Sequence, residues 1–276
     1  MTNLVSTEWL AAHLDDVRVV DASWYMPGDK RDPKAEFEIA HIPGAVHFDI
    51  DAIADTSTGL PHMLPSADAF AKAVGALGIG NGDSVVVYDG SGIFSAPRVW
   101  WMFKAMGHDD VKVLDGGFPK WKREARAVED GPASPTSKTF EASLRPAIMR
   151  SFDDVMAIVK DRSAQIADAR SPGRFTGSEA EPRAGVRGGH MPGARNVHFR
   201  TLLNEDGTFK QQAELRELFQ RAGIDPARPI VTTCGTGVTA AILKLALDDV
   251  GAKDVALYDG SWTEWGGREE APVAKG

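Results

Sequence analysis

Residues 229–247 have the sequence PIVTTCGTGVTAAILKLAL, which is the most informative stretch for the fold. Residues 229–233 are a short β-branched run that begins with a proline, which predicts a strand. Residues 240–247 are apolar and mostly unbranched, which predicts a largely buried helix. The turn between them holds Cys234, the only cysteine in the chain of 276 residues.

Two glycines shape the turn after Cys234. Gly235 and Gly237 allow a tight backbone that turns successive N–H groups toward one point, beside the unpaired donors of the helix N-terminus. Such a loop holds an anion and favours a thiolate over a thiol, which makes Cys234 a candidate nucleophile. The alternative is an inert buried thiol, because free cysteine is among the most buried residue types.

Composition narrows the setting. The chain is 43% hydrophobic and 25% charged, as in soluble globular proteins, and its length suggests roughly two domains. It has 31 basic and 39 acidic residues, a net charge of -8, and no Lys/Arg-rich run, so neither nucleic acid nor a membrane is an expected partner. No N-terminal targeting pattern and no membrane-spanning apolar run is visible, so we expect a cytoplasmic protein.

Cysteine and histidine usage limits the kinds of site. One cysteine excludes an internal disulfide, a resolving partner for redox cycling and any multi-cysteine metal site. The seven histidines lie in stretches without an acidic or cysteine cluster at ligand spacing. We therefore expect neither a metal nor another cofactor.

The chain contains an internal repeat. Residues 19–23 match 165–170, 40–45 match 189–194, 86–92 match 231–237, and 114–118 match 258–262. His190 follows His41 by 149 residues, Cys234 follows Asp89 by 145, and Asp259 follows Asp115 by 144. Segments in the same order at a nearly constant and long offset indicate duplicated domains and not a solenoid.

Each copy alternates predicted strands and helices. In the first copy we predict a helix at 66–77, a strand at 84–88, a helix at 95–106 and a strand at 111–114, which is typical of a parallel α/β sheet covered by helices. A turn-rich stretch of low apolar content, GPASPTS, follows at 131–137. We predict domains at 1–130 and 151–276 with a linker at 131–150.

The repeat supplies a comparison within one chain. Where the second copy has Cys234, the first has Asp89, which cannot act as a sulfur nucleophile. We expect thiol chemistry in the second copy only. His41 and His190 precede Pro-Gly turns in both copies, and we assign them to the shared fold, while Trp262 and Trp265 are predicted core residues.

Together the duplicated domain, the HIPGA and HMPGA pieces and the single cysteine loop resemble the rhodanese sulfurtransferase superfamily over essentially the whole chain. The resemblance implies two tandem rhodanese-like domains, the second one catalytic. CGTGVT is similar to the cysteine loop of 3-mercaptopyruvate sulfurtransferases, whereas thiosulfate-preferring members carry two basic residues where this chain has Gly235 and Thr236. Thiosulfate is a dianion that gains more from extra positive charge beside the sulfur.

The resemblance also implies roles for particular residues. Arg174 and Arg183 match the substrate-binding arginines, and paired N–H donors of arginine suit a planar carboxylate. Asp51, His62 and the hydroxyl of Thr236 match a proton relay in which the family commonly has serine in the loop. We also assign the loop residues Gly235, Gly237, Val238 and Thr239 to substrate binding.

The implied reaction moves sulfur from 3-mercaptopyruvate to Cys234 and releases pyruvate. With one cysteine in the chain, an external acceptor such as thioredoxin, a small thiol or cyanide must then take the sulfur. The alternatives are a thiosulfate:cyanide sulfurtransferase, a non-catalytic sulfur-carrier or interaction module, and a cysteine phosphatase. A phosphatase loop requires a closing arginine, which residues 238–241 do not contain.

Overall fold

The computed structural model describes residues 3–276, which form two compact units. The first unit consists of residues 3–55, 64–145 and 204–209, and the second of residues 56–63, 146–203 and 210–276. Each unit contains one five-stranded parallel sheet, which confirms the predicted α/β fold with two parallel-sheet domains. No helix within residues 3–276 has the length and apolar character that a membrane crossing needs.

Strands and helices alternate along the first unit. Its strands are β1 Leu4–Val5, β2 Val17–Asp21, β3 Val46–His47, β4 Ser84–Tyr88 and β5 Val111–Leu114. Its helices are α1 Thr7–Ala12, α2 Pro33–Ile39, α3 Ala67–Ala76, α4 Ala96–Ala105 and α5 Gly117–Arg123. The four elements predicted between residues 66 and 114 are confirmed, with each boundary within one residue.

The second unit repeats this series. Its strands are β6 Met149–Arg150, β7 Gln165–Asp168, β8 Arg195–Asn196, β9 Ile230–Thr233 and β10 Val255–Tyr258. Its α-helices are α6 Phe152–Asp161, α7 Pro172–Thr176, α8 Gln212–Arg221, α9 Ala240–Asp249 and α10 Ser261–Gly267, and short 3₁₀ turns lie at Pro146–Ile148 and Phe199–Leu202. The predicted strand and helix on either side of Cys234 are β9 and α9.

Both sheets have the same strand order. It is β1-β5-β4-β2-β3 in the first unit and β6-β10-β9-β7-β8 in the second, so β4 and β9 are the central strands. Thr232 of β9 pairs with Ala167 of β7 and with Leu257 of β10, both in parallel. Ligands of open parallel sheets bind beyond the carboxyl ends of the strands, and that is where β9 delivers Cys234.

Burial explains why β9 and α9 keep their places. Every residue of β9 is buried, and so is α9 from Ala240 to Leu247. Trp262 and Trp265 are fully buried in the core of the second unit, which confirms their prediction as core residues. Their indole N–H groups donate to the carbonyls of Arg187 and Pro272, both at 2.8 Å, so neither ring leaves a buried donor unpaired.

Residues 138–145 belong to the first unit and are hydrogen-bonded to its helices. The N–H of Lys138 donates to the Gly75 carbonyl at 2.9 Å, and that of Arg145 donates to the Ala105 carbonyl at 2.7 Å. The domain limits that we infer from the sequence, 1–130 and 151–276 with a linker at 131–150, stay a prediction.

Candidate active site

Cys234 follows the last residue of β9 and is a free thiol with 2% of its surface exposed. Its backbone is held on both sides of the residue. The Cys234 N–H donates to Ser261 Oγ at 3.2 Å, and the Cys234 carbonyl accepts the Trp262 N–H at 2.9 Å. Cys234 directly follows the buried strand β9 and is hydrogen-bonded to the start of α10, so the backbone that carries its sulfur is held in place.

The loop from Cys234 to α9 presents a series of unpaired donors. Gly237 has a φ of 81°, a left-handed conformation that suits glycine. Within residues 3–276, the N–H groups from Gly235 to Ala240 find no acceptor, and Thr239 does not cap the helix with its side chain. Six consecutive donors at the start of a ten-residue helix form a site for an anion beside the sulfur.

Arg174 lies against this loop. A side chain on Gly235 would bring its Cβ to 3.0 Å from Arg174 Nη2, so the absence of one leaves room for the guanidinium. Arg174 sits in α7, and its side chain is 19% exposed. The structure therefore brings one predicted substrate-binding arginine to the cysteine loop.

A buried chain of charges orients Arg174. Its Nη2 contacts Glu181 Oε2 at 2.6 Å, and the other carboxylate oxygen of Glu181 accepts from Arg170 Nη1 at 2.8 Å. Arg170 in turn reaches Asp168 at 2.6 Å, and both of these side chains are 1% exposed. Burial alone disfavours a charged guanidinium, but the carboxylates of Asp168 and Glu181 outweigh it and raise the pKa of Arg170.

Arg170 and Glu181 are site residues that the sequence analysis does not single out. Arg170 stands at the end of a repeated strand, and Glu181 stands two residues before Arg183. Nothing in that spacing shows that Glu181 bonds to both Arg170 and Arg174, because the contacts form only when residues 170–181 fold back on themselves. Arg170 also covers the Trp262 ring, with its guanidinium carbon 4.2 Å from the ring centre.

The other predicted site residues occupy different parts of the structure. Thr236 and Val238 are buried in the cysteine loop, while Thr239 is half-buried at its end. Arg183 is half-buried in the loop after α7. His62 is buried with a φ of 61° in the segment 56–63, which belongs to the second unit.

Asp51 belongs to the first unit, where its carboxylate accepts the Trp24 indole N–H at 2.9 Å. Its own backbone N–H donates to Asp49 at 2.9 Å. The relay of Asp51, His62 and Thr236 stays a prediction, as does the role of Arg183.

The first unit shows what the same loop does with a different residue. The Asp89 carboxylate accepts four backbone N–H groups of its own loop, from Ser91, Phe94, Ser95 and Ala96, at 2.8 to 3.0 Å. These donors correspond to the unpaired N–H groups that follow Cys234. The first copy therefore fills its anion site with its own carboxylate.

His41 and His190 make the same contacts in their respective units. Each Nδ1 bonds to a phenylalanine carbonyl, Phe37 at 2.8 Å or Phe175 at 2.9 Å, and each imidazole stacks on that phenylalanine ring. A contact present in both the cysteine copy and the aspartate copy serves the shared fold.

Known proteins share this architecture. The chain matches the rhodanese-like domain family twice, over residues 6–124 and 151–268. It is 44% identical to human 3-mercaptopyruvate sulfurtransferase over 95% of this chain and 91% of the relative, and 44% identical to rat thiosulfate sulfurtransferase over the same shares. The crystal structure of an Escherichia coli 3-mercaptopyruvate sulfotransferase superposes with a TM-score of 0.87 at 39% identity, covering 95% of this chain and 99% of the other.

Proposed function

The chain belongs to the rhodanese-like family, and from this premise we propose that it transfers sulfur from 3-mercaptopyruvate through a persulfide on Cys234. One observation carries the proposal. The loop places unpaired N–H donors and Arg174 around a buried thiol, while the two positions after the cysteine, Gly235 and Thr236, carry no charge. This arrangement suits a single anionic sulfur, and the Arg174 guanidinium beside it suits a substrate carboxylate.

In the first half-reaction, the Cys234 thiolate attacks the sulfur of 3-mercaptopyruvate. A sulfur–sulfur bond forms, the carbon–sulfur bond breaks, and the electron pair leaves with the carbon as the enolate of pyruvate, which is then protonated. Arg174 and Arg183 hold the carboxylate and ketone so that the sulfur faces the thiolate. We assign the proton transfer to Asp51, His62 and Thr236.

The second half-reaction discharges the persulfide. Its terminal sulfur is anionic, and the N–H groups that follow Cys234 are positioned to hold it. No second cysteine is present in the chain to take the sulfur, so an outside thiolate or cyanide attacks the terminal sulfur and returns Cys234 as a thiolate. Thioredoxin, a small thiol and cyanide are the acceptors we propose, with the cytoplasm as the setting.

Thiosulfate is the competing sulfur donor. The rat relative named for thiosulfate is as similar to this chain as the human relative named for 3-mercaptopyruvate, so overall identity does not separate the two donors. The loop separates them, because Gly235 and Thr236 provide no extra positive charge for a dianion. We therefore propose a preference for the keto acid.

The test is to incubate the purified protein with 3-mercaptopyruvate, to measure the mass of the protein before cyanide is added, and to measure pyruvate release after cyanide is added. We expect pyruvate and one added sulfur atom on Cys234, and neither in Cys234→Ser. Wild-type protein that releases no pyruvate and gains no sulfur would end the proposal. A higher catalytic efficiency with thiosulfate under the same conditions would reverse the choice of donor, and a persulfide that no acceptor discharges would indicate a carrier.

A further inference from the structure

Ser261 has an unusual backbone conformation for its residue type. It is the first residue of α10, it is fully buried, and its φ is 48°. This left-handed region is costly for residues with a Cβ, and serine is not one of those that adopt it routinely. Strain of this kind persists where the surrounding structure requires the side chain at that place.

The hydroxyl of Ser261 bridges two backbone groups. It donates to the Tyr258 carbonyl at 2.8 Å, which fixes its rotamer, and it accepts the Cys234 N–H at 3.2 Å. The next residues continue the contact along the cysteine loop. The Trp262 N–H donates to the Cys234 carbonyl, and the backbone and hydroxyl of Thr263 both donate to the Gly235 carbonyl, at 2.9 and 2.7 Å.

The first unit lacks most of this connection. Gly117 stands at the position of Ser261 with a similar φ of 53°, and Pro119, which has no N–H, stands at the position of Thr263. Only the contact from Phe118 N–H to the Asp89 carbonyl, at 3.0 Å, is retained. A Cβ on Gly117 would lie 2.2 Å from the Gly92 carbonyl oxygen, so the aspartate loop leaves no room for a serine.

We propose that Ser261 is a positioning residue for the sulfur of Cys234. The inference rests on the proposed sulfurtransferase function. Ser261 holds the Cys234 N–H at a fixed point, and because the side chain starts from the neighbouring Cα, this contact also fixes the direction of the Cα–Cβ bond that carries the sulfur. The copy with the nucleophile thus keeps a strained serine where the copy without it has an unstrained glycine.

The proposal predicts an effect on turnover more than on binding. The hydroxyl bonds to two backbone groups, the Cys234 N–H and the Tyr258 carbonyl, whereas the cation proposed for the substrate carboxylate, Arg174, lies against Gly235. Attack on sulfur requires alignment of the thiolate with the breaking bond, and a small displacement from the reactive geometry is enough to slow it. Loss of the hydroxyl should lower kcat for 3-mercaptopyruvate about tenfold and leave KM within about twofold.

Two substitutions separate positioning from stability. Ser261→Ala removes the hydroxyl and keeps the strained Cβ, whereas Ser261→Gly removes the hydroxyl and the strain together. We expect Ser261→Gly to have the higher Tm of the two and both to lose turnover to a similar extent. A merely structural role would make kcat follow Tm, so that Ser261→Gly would recover the activity that Ser261→Ala loses.

Ser23→Ala is the matched control in the first unit. The Ser23 hydroxyl is also buried and accepts a loop N–H, that of Gly90, at 2.8 Å, so its removal deletes the same type of bond beside the aspartate loop. We expect its kcat to equal that of the wild type. Equal kcat in wild type, Ser261→Ala and Ser261→Gly would overturn the positioning role while leaving the proposed function intact, whereas a wild type that releases no pyruvate would remove the function itself.

Discussion

The two loops that follow β4 and β9 share a backbone plan and differ in what occupies it. In the first unit, the Asp89 carboxylate receives four N–H groups of its own loop. In the second, Cys234 starts a loop whose N–H groups are unpaired within residues 3–276. The same fold therefore makes a loop closed by its own carboxylate in the first unit and a loop with unpaired donors in the second, which we propose receives the sulfur anion.

The side chains that lie against the two loops also differ. Arg174 lies against Gly235 in the second unit, whereas the hydroxyl of Tyr25 occupies that place beside Gly90. A Cβ on Gly90 would lie 2.3 Å from this hydroxyl. We propose that reactivity requires both an open donor loop and a cation directly against it, and each requirement can be tested separately.

The largest effect should come from moving the thiol between the loops. The double variant Asp89→Cys with Cys234→Ser opens the first loop and places a cysteine there, but the Tyr25 hydroxyl, which accepts from Arg31 at 2.8 Å, lies directly beside Gly90 where Arg174 lies beside Gly235. We expect pyruvate release to fall at least about 10³-fold, as in Cys234→Ser alone, because serine is a far weaker nucleophile toward sulfur than a thiolate. Activity of the double variant well above that of Cys234→Ser would show that the loop alone is sufficient.

The next effect concerns the stability of the first unit. Asp89→Ala removes the shared acceptor of four N–H groups, two of which are fully buried, so the free energy of unfolding should fall by about 3 kcal/mol. Urea denaturation followed by tryptophan fluorescence measures the loss.

Asp32→Ala serves as its control, because this carboxylate also accepts two N–H groups, those of Lys34 and Ala35, but at an exposed helix start. Loss of such a cap costs about 1 kcal/mol. Equal losses in the two variants would mean that the Asp89 carboxylate does not hold its loop together.

The sequence predicts much of this comparison because the repeat aligns Asp89 with Cys234 and the strands follow from short β-branched runs. It does not show that the Asp89 carboxylate turns back into its own loop, since that depends on the backbone path of residues 90–96. The contact of Arg170 and Arg174 with Glu181 is likewise a product of folding.

Ser261 is an intermediate case. The repeat places it opposite Gly117, and a glycine in one copy is a signal that the other copy adopts a left-handed conformation. The signal is readable in the sequence, but the bond from Cys234 N–H to the serine hydroxyl is not, because it joins residues 27 positions apart in the chain.

A smaller effect should follow from removing the cation beside the second loop. Arg174→Ala should raise KM for 3-mercaptopyruvate about 10- to 100-fold and change kcat less, because the substrate carboxylate keeps its charge during the reaction. Arg31→Ala is the matched control, since Arg31 pairs with Glu36 in the first unit as Arg174 pairs with Glu181 in the second. If steady-state kinetics gave the same KM for Arg174→Ala and Arg31→Ala, Arg174 would not be a substrate-binding residue.

The smallest effect distinguishes the two aspartates that end β2 and β7. Asp168 is paired with the guanidinium of Arg170, but Ser23 takes the place of that arginine beside Asp21. Burial raises the pKa of Asp21, and hydrogen bonds from Ser23 and Tyr88 offset only part of this effect.

Because the folded-state pKa of Asp21 lies above its unfolded value, the contribution of this group to stability is complete below the unfolded pKa of 3.8 and is lost as pH rises through the folded value. Asp21→Asn, which stays neutral and keeps an acceptor for the Ser23 N–H, should therefore raise Tm at pH 7, with a gain that shrinks toward pH 4. Asp168→Asn should instead lower Tm at pH 7, because it leaves the buried Arg170 with one carboxylate fewer. Thermal melts of both variants across this pH range would contradict the assignment if the Asp→Asn substitution changed Tm in the same direction at both positions, since only Asp168 is paired with an arginine.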